Sequence, residues 1–276
     1  HFYAISHFKE DHERLTIIDS DNLVDPQYLN SLNLMFEQGY VAVQGIRRAK
    51  KTETIYSALD EAGDIYYRYV DRKLLFEAGS SASLAGSGMA FTTEIYYQCL
   101  KDQQLMGAGF DKVLQYEIVK RGNRIAFCEN AIVYDEKTAK SSQLVKQRAR
   151  WINTWFKFFS LGLSLFAKSI IKLDLNAYLF SVLLLRPPLF IMVGLTGLFM
   201  IINIFISPVL LIYYFLFLTC FIFIFSKSLS YFKASPLVYK SLRNIPKFMF
   251  LQIIAFTKIS KANKLSVATK HVDQND

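Results

Sequence analysis

Asp19 and Asp21 stand one residue apart, directly after Leu15-Thr-Ile-Ile18, a short apolar run that reads as a buried strand. Alternate residues of an extended segment point the same way, so both carboxylates can address one hard cation. A Mg²⁺ or Mn²⁺ held by one or two carboxylates keeps positions open for diphosphate oxygens and neutralises charge building on a leaving group. The same two acids would also suit a solvated turn or a helix cap. Gly86-Ser87-Gly88-Met89-Ala90-Phe91 offers small residues that let a backbone approach a ligand closely, or an ordinary tight turn. Asp111 opens a helix, where a carboxylate can act as a general base or simply as a cap. In Gln147-Arg148-Ala149-Arg150-Trp151, helical spacing lets Gln147, Arg150 and Trp151 project together. Arg clamps diphosphate oxygens, Gln adds a hydrogen bond and an indole stacks on a sugar ring. A basic amphipathic helix resting on a membrane is the other reading of that segment.

The elements that would hold these residues follow from the pattern. Residues 1–150 alternate short strand-like and helical stretches, as in an α/β layer. After the Leu15 strand, Asp25-Pro26 is expected to open a helix with Leu29, Leu32 and Phe36 on one face. Gly39 stops that helix, Tyr40–Ile46 reads as a strand and Thr52–Arg72 as a helix. Residues 79–88 are a loop. Asp111–Arg121 is a helix ended by Gly122, then Arg124–Phe127 and Ala131–Tyr134 read as two short strands. Ser142–Ser160 is a basic, aromatic helix, and Leu173–Leu185 is apolar but short, lying in a membrane interface or leading into a span.

Pro187–Phe225 contains no charged side chain. Leu189–Ile206 and Val209–Phe225 each approach the roughly 20 residues that cross hydrocarbon, and Ser207-Pro208 breaks them apart. A buried soluble hairpin would keep a polar face, which is missing here. Charge is unevenly divided: residues 1–150 hold 19 Lys/Arg and 20 Asp/Glu, residues 151–276 hold 13 and 3. The surplus of positive charge flanks the apolar segment, which favours an anionic lipid surface over nucleic acid. Basic residues stay cytoplasmic, so Lys168, Lys172 and Arg186 before the spans, and Lys227, Lys233, Lys240, Arg243 and Lys247 after them, put Ser207 outside. The expected location is a cell (inner) membrane, multi-pass, with the catalytic region cytoplasmic. Cys99, Cys128 and Cys220 are scattered without metal-ligand spacing, as in a reducing compartment. The chain starts at His1 inside what reads as a helix, so a natural N-terminus is expected upstream.

The order of these motifs, with Gly109-Phe-Asp-Lys112 and Tyr134-Asp-Glu-Lys137 between them, resembles family 2 glycosyltransferases of the membrane-bound, processive polysaccharide-synthase type, such as cellulose and hyaluronan synthases. The resemblance covers about residues 1–260, and Q-x-x-R-W is its most specific element; Thr269-Lys270-His271 is similar to tails in such proteins. It implies a partial GT-A domain over residues 1–160, linker or interfacial helices over 161–186, two spans over 187–226 and a basic tail with an amphipathic helix over 227–276. It also implies that Asp19 and Asp21 bind the metal and diphosphate, that Asp111 is the general base, and that Gln147, Arg150 and Trp151, with Gly86, Ser87 and Gly88, bind donor diphosphate and acceptor. Phe110 stands where the family usually has Glu. The family's first strand is absent, so residues 1–276 alone are expected to be inactive. The implied partners are a nucleotide sugar, expected to be a UDP-sugar, a glycan or lipid-linked acceptor, membrane lipids and an oligomer or export partner. The implied reaction is inverting sugar transfer to a growing polysaccharide. A non-processive transferase acting on a lipid carrier is the nearest alternative, and a non-enzymatic membrane scaffold or channel subunit is the alternative of another class.

Overall fold

The computed structural model describes residues 5–101, 109–138 and 140–259. Strands β1 (Arg14–Ile17), β2 (Leu23–Val24), β3 (Ala42–Ala49), β4 (Met89–Thr92) and β5 (Ile125–Asp135) form one curled mixed sheet in the order β1-β4-β3-β5-β2. β3 and β5 run parallel, while the other neighbours run antiparallel. The Ala131–Tyr134 and Arg124–Phe127 stretches, expected as two strands, belong to a single strand β5 with an irregularity between the partners of Gln44 and Ile46. Extra residues in a ladder bend the strand without ending it.

Helix α1 (Tyr28–Glu37) begins two residues later than an Asp25 cap would make it, with Gln27 at the N-cap. Asp25 instead forms a turn, its carboxylate accepting from the Gln27 amide at 2.9 Å. Leu32 of the expected face is buried, whereas Leu29 is 60% exposed and Tyr28 takes its place inside. Helix α2 (Ile55–Tyr67) starts at a reciprocal capping box between Thr54 and Ser57 and passes into a π-helical segment, Arg68–Leu74, before α3 (Leu75–Glu77). Wide turns of this kind occur often at functional sites. Helices α4 (Thr93–Leu100) and α5 (Phe110–Lys120) follow.

Helix α6 (Ser141–Lys172) runs twelve residues past Ser160, the expected end, until Leu173 turns left-handed. Helix α7 (Leu175–Leu185) folds back on it. Its Ala177 and Phe180 join the main core with Leu165 of α6 and with Phe91 and Leu114, while Leu175, Tyr178 and Val182 stay exposed. Helices α8 (Leu189–Ile206) and α9 (Pro208–Tyr231) are long and apolar enough to cross a membrane. Their large side chains face outward, Phe205 at 85% and Phe217 at 77% exposure, unlike a soluble core hairpin. The chain closes with α10 (Pro236–Ser241) and α11 (Ile245–Thr257), while Thr269–His271 lies outside the described residues. Cys99 and Cys128 are buried and Cys220 is exposed, all as free thiols.

Candidate active site

β1 delivers the chain to a turn at Asp19–Asn22, closed by the Asn22 amide donating to the Asp19 carbonyl at 3.0 Å. The turn is fastened to the glycine loop. The Ser87 hydroxyl accepts from the Asp19 amide at 3.0 Å and from the Asn22 side chain at 2.7 Å. Ser87 is fully buried, so its oxygen shapes the turn from beneath. Gly86 and Gly88 have φ of +86° and +68°, a region that resists a β-carbon. Gln44 spans the loop from β3: its amide nitrogen donates to the Ser87 and Gly88 carbonyls, and its oxygen accepts from Ala85 at 2.8 Å. Gln115 of α5 accepts from Leu84 at 3.0 Å. The metal-candidate turn and the glycine loop are therefore one unit, hung on β3 and α5.

Charge surrounds that unit. Arg47 donates to the Ala85 carbonyl at 2.8 Å and pairs with Asp135 at the end of β5. Lys50 donates to the Asp21 carbonyl and lies 3.7 Å from Glu136. Partial enclosure pushes the Asp19 carboxyl above the ordinary aspartate range; Arg47 opposes this, and the like charges of Asp21 and Asp135 add to it.

Asp111 sits in the first turn of α5, and Lys112 is 3.6 Å from it. The helix is entered through Gly109 at φ +103°, where an added β-carbon would stand 2.4 Å from the Phe158 ring and 3.1 Å from Thr154. Only glycine lets the start of α5 press this closely on α6. Thr154 lies one turn beyond Arg150, whose carbonyl accepts its hydroxyl at 2.8 Å. Asp111 is thus held beside the helix that bears Gln147, Arg150 and Trp151. The Gln147 oxygen accepts from Thr138 at 3.2 Å, Arg150 is half-buried and Trp151 is 37% exposed. No carboxylate pairs with Arg150 among the described residues.

A family model described as glycosyltransferase like family 2 matches residues 1–154, more than half of the chain. The chain belongs to this family. No curated protein matches it. The matched stretch ends three residues after Trp151 and takes in each of the candidate site residues. A transferase of this family moves a sugar from a nucleotide-sugar donor to an acceptor.

Inside the transferase lies a set of ion pairs that the spacing of its residues did not reveal. Lys137 reaches Asp64, Glu61 at 3.2 Å and Asp135 at 3.1 Å; Arg68 reaches Glu61 at 3.2 Å; Arg148 pairs with Asp60. Arg186, just ahead of the first apolar helix, holds Asp71 through two bonds of 2.9 and 2.7 Å. Burial alone would raise the Asp64 carboxyl, but Lys137 and Arg47 overcome it and hold it well below the usual carboxylate range. Burial pushes Asp60 up, against the pull of Arg148. Arg72 has no carboxylate of its own within pairing distance among the described residues and donates to the Ser83 carbonyl at 3.3 Å. Its burial lowers it to about 10. These charges link α2, β3, β5 and α6, so they fix where the Asp19 turn and the Gln147 segment stand. Read linearly, Asp60, Glu61 and Asp64 look like the solvated face of a helix; only the fold turns them inward.

Proposed function

We propose that the transferase catalyses inverting transfer of a sugar from a UDP-sugar to a growing polysaccharide at a membrane, through a GT-A-type site. One observation supports the membrane part above the rest: Val145, Ala149 and Ile152, on the helix that bears Gln147 and Trp151, pack against Phe190 at the start of the first apolar helix and against Ala255 of α11. An acceptor resting on Trp151 would lie next to lipid, and its chain would have a short path to the bilayer. Trp151 is exposed enough to stack on the sugar just added, which favours elongation over a single transfer.

In this reading Asp111 accepts the proton of the attacking hydroxyl. Arg150 and Gln147 bind the donor diphosphate. Asp19 and Asp21 stand on one closed turn, not on an extended segment, and their charges interact. Together with diphosphate oxygens they would hold a Mg²⁺ or Mn²⁺, for which one or two carboxylates suffice. Asp19 also feels the like charges of Asp21 and Asp135, which a bound cation would relieve. No group of three His, Cys, Asp or Glu suited to a metal occurs among the described residues, so the ion would depend on its substrate. When bound, it would supply electrostatic stabilisation of the leaving diphosphate. The basic flanks support a cytoplasmic catalytic region, with Ser207 on the far side of the bilayer.

The test is transfer from UDP-glucose, UDP-galactose and UDP-N-acetylglucosamine by the full-length protein in membrane vesicles, with Mn²⁺ or with EDTA. Long products made only with the metal support the reading. Single-sugar lipid products would point to the non-processive alternative. No transfer, together with thermal stability indifferent to UDP and Mn²⁺, would favour a scaffold. A cysteine placed at Ser207 should react with impermeant reagent from the outer face only.

A further inference from the structure

Helix α6 bears a second arginine within the Gln147–Trp151 segment, and the roles proposed above leave it unused. Arg148 is 7% exposed. It lies two residues, about 200° of helix, from Arg150, so the two guanidinium groups serve different sides of α6. One edge of the Arg148 group pairs with Asp60 of α2. Its central carbon lies over the Trp151 indole, 4.4 Å from the ring centroid, and over the Phe248 ring of α11 at 5.6 Å. A planar cation is thus held at its edge by a carboxylate and set against aromatic rings from two helices.

A guanidinium is suited to this double use because its N–H groups lie in the plane while its faces remain free for stacking. A lysine ammonium could keep the pair with Asp60 but has no face to lay against the indole. Trp151 has a reason to need such a partner. It is 37% exposed, and an exposed indole with two free torsions presents no fixed plane to a sugar. Fixing the ring in advance removes the ordering cost from the reacting complex.

We infer that Arg148 is a positioning residue that sets the plane of the Trp151 ring as the platform for the acceptor sugar, with Asp60 and Phe248 holding Arg148 in place. The inference rests on the reading of Trp151 as that platform. It also gives α11 a part in the site, since Phe248 reaches the site from beyond the two apolar helices.

The test pairs kinetics with the emission of one indole. The chain holds two tryptophans, so Trp155→Phe leaves Trp151 as its sole emitter. In that background, in vesicles, Arg148→Lys should shift the emission maximum and make the indole more accessible to acrylamide. In the full-length protein, with the three UDP-sugars above and the vesicles' own acceptor, Arg148→Lys should lower kcat by about tenfold while donor KM stays within about twofold. A merely structural role would leave this split and the emission unmoved. Wild-type kcat with unchanged emission overturns the inference. So does a raised donor KM at normal kcat, which would make Arg148 a donor ligand. Should Arg148→Lys fail to fold, Phe248→Leu removes only the outer ring and is read by the same two measurements; unchanged values there also overturn it. Wild-type protein that transfers no sugar defeats the functional reading instead, and the emission comparison still decides whether Arg148 holds the ring.

Discussion

The turn at Asp19–Asn22 and the interior face of α2 both collect carboxylates, and they hold them in opposite ways. Asp60, Glu61, Asp71 and Asp135 are each 7% exposed or less, and each lies against an arginine or lysine. Asp19 lies at the surface, fastened through its backbone amide; Arg47 acts on it from a distance, and Asp21 and Asp135 act as like charges. A buried carboxylate without a cation would cost several kcal/mol, so the interior ones come paired and serve architecture. In the reading proposed above, the surface pair serves a ligand instead. The same residue type is therefore structural in one region and a candidate for chemistry in the other, and the difference lies in solvation and partners.

That contrast can be broken at its chemical end first. Asp21→Asn in the full-length protein should abolish transfer, by about 10³-fold or more, while leaving thermal unfolding close to wild type. Activity that persists in this variant would place the metal elsewhere, and activity in EDTA equal to that in Mn²⁺ would remove the metal from the reaction. Asp111→Asn comes next, with turnover lowered by about 10²–10⁴-fold and donor binding little altered. In this reading Asp111 gains its effect from its position in the first turn of α5, beside the acceptor hydroxyl. If turnover survives and donor affinity falls, Asp111 is a binding residue and Glu94 becomes the candidate base, since Glu117 is buried and paired with Lys120 and Arg121.

The architectural end predicts losses of stability. Asp64→Asn should destabilise the fold by about 3 kcal/mol, toward the low end for a broken buried pair, because Lys137 keeps Glu61 and Asp135. The sign with pH follows from the lowered Asp64 carboxyl. Its contribution is fully present above the unfolded value of about 3.9 and is lost as pH falls through the lower native value. Thermal melts of wild type should therefore drop on acidification below about pH 4, and those of the variant should drop less. Equal slopes for the two would remove Asp64 from the network. The smallest effect is Thr54→Ala, which deletes the capping box of α2 and should cost about 1 kcal/mol, with kcat unchanged. A large loss of activity in that variant would mean that α2 moves during turnover.

Much of the site's raw material was legible as local pattern. The carboxylates follow an apolar run that does become β1, and Gly86 and Gly88 do take the left-handed conformation their residue type permits. Asp111 does lie in the first turn of a helix, one residue inside its start at Phe110, and Gln147–Trp151 does lie on one. Each of these depends on a few neighbouring residues. The misread elements had non-local causes. Arg124–Phe127 and Ala131–Tyr134 read as separate strands, yet pairing with β3 on both sides of an irregularity makes them one strand. Ser160 suggested a helix end, yet α6 continues because α7 packs along it, with Gly162 against Leu184 and Leu185.

The amino-acid sequence by itself determined the charge-free hairpin, its break at Ser207-Pro208, the basic flanks and the identity of the candidate catalytic groups. Composition and periodicity suffice for these, because hydrophobicity and helix capping act over a few residues. Tertiary structure alone decided which charges face inward. Arg148 and Asp60 are 88 residues apart, and Arg186 and Asp71 are 115 apart. No periodicity encodes such a pair: a charged residue on a helix looks the same whether water or a distant partner solvates it, and only the assembled fold supplies the partner.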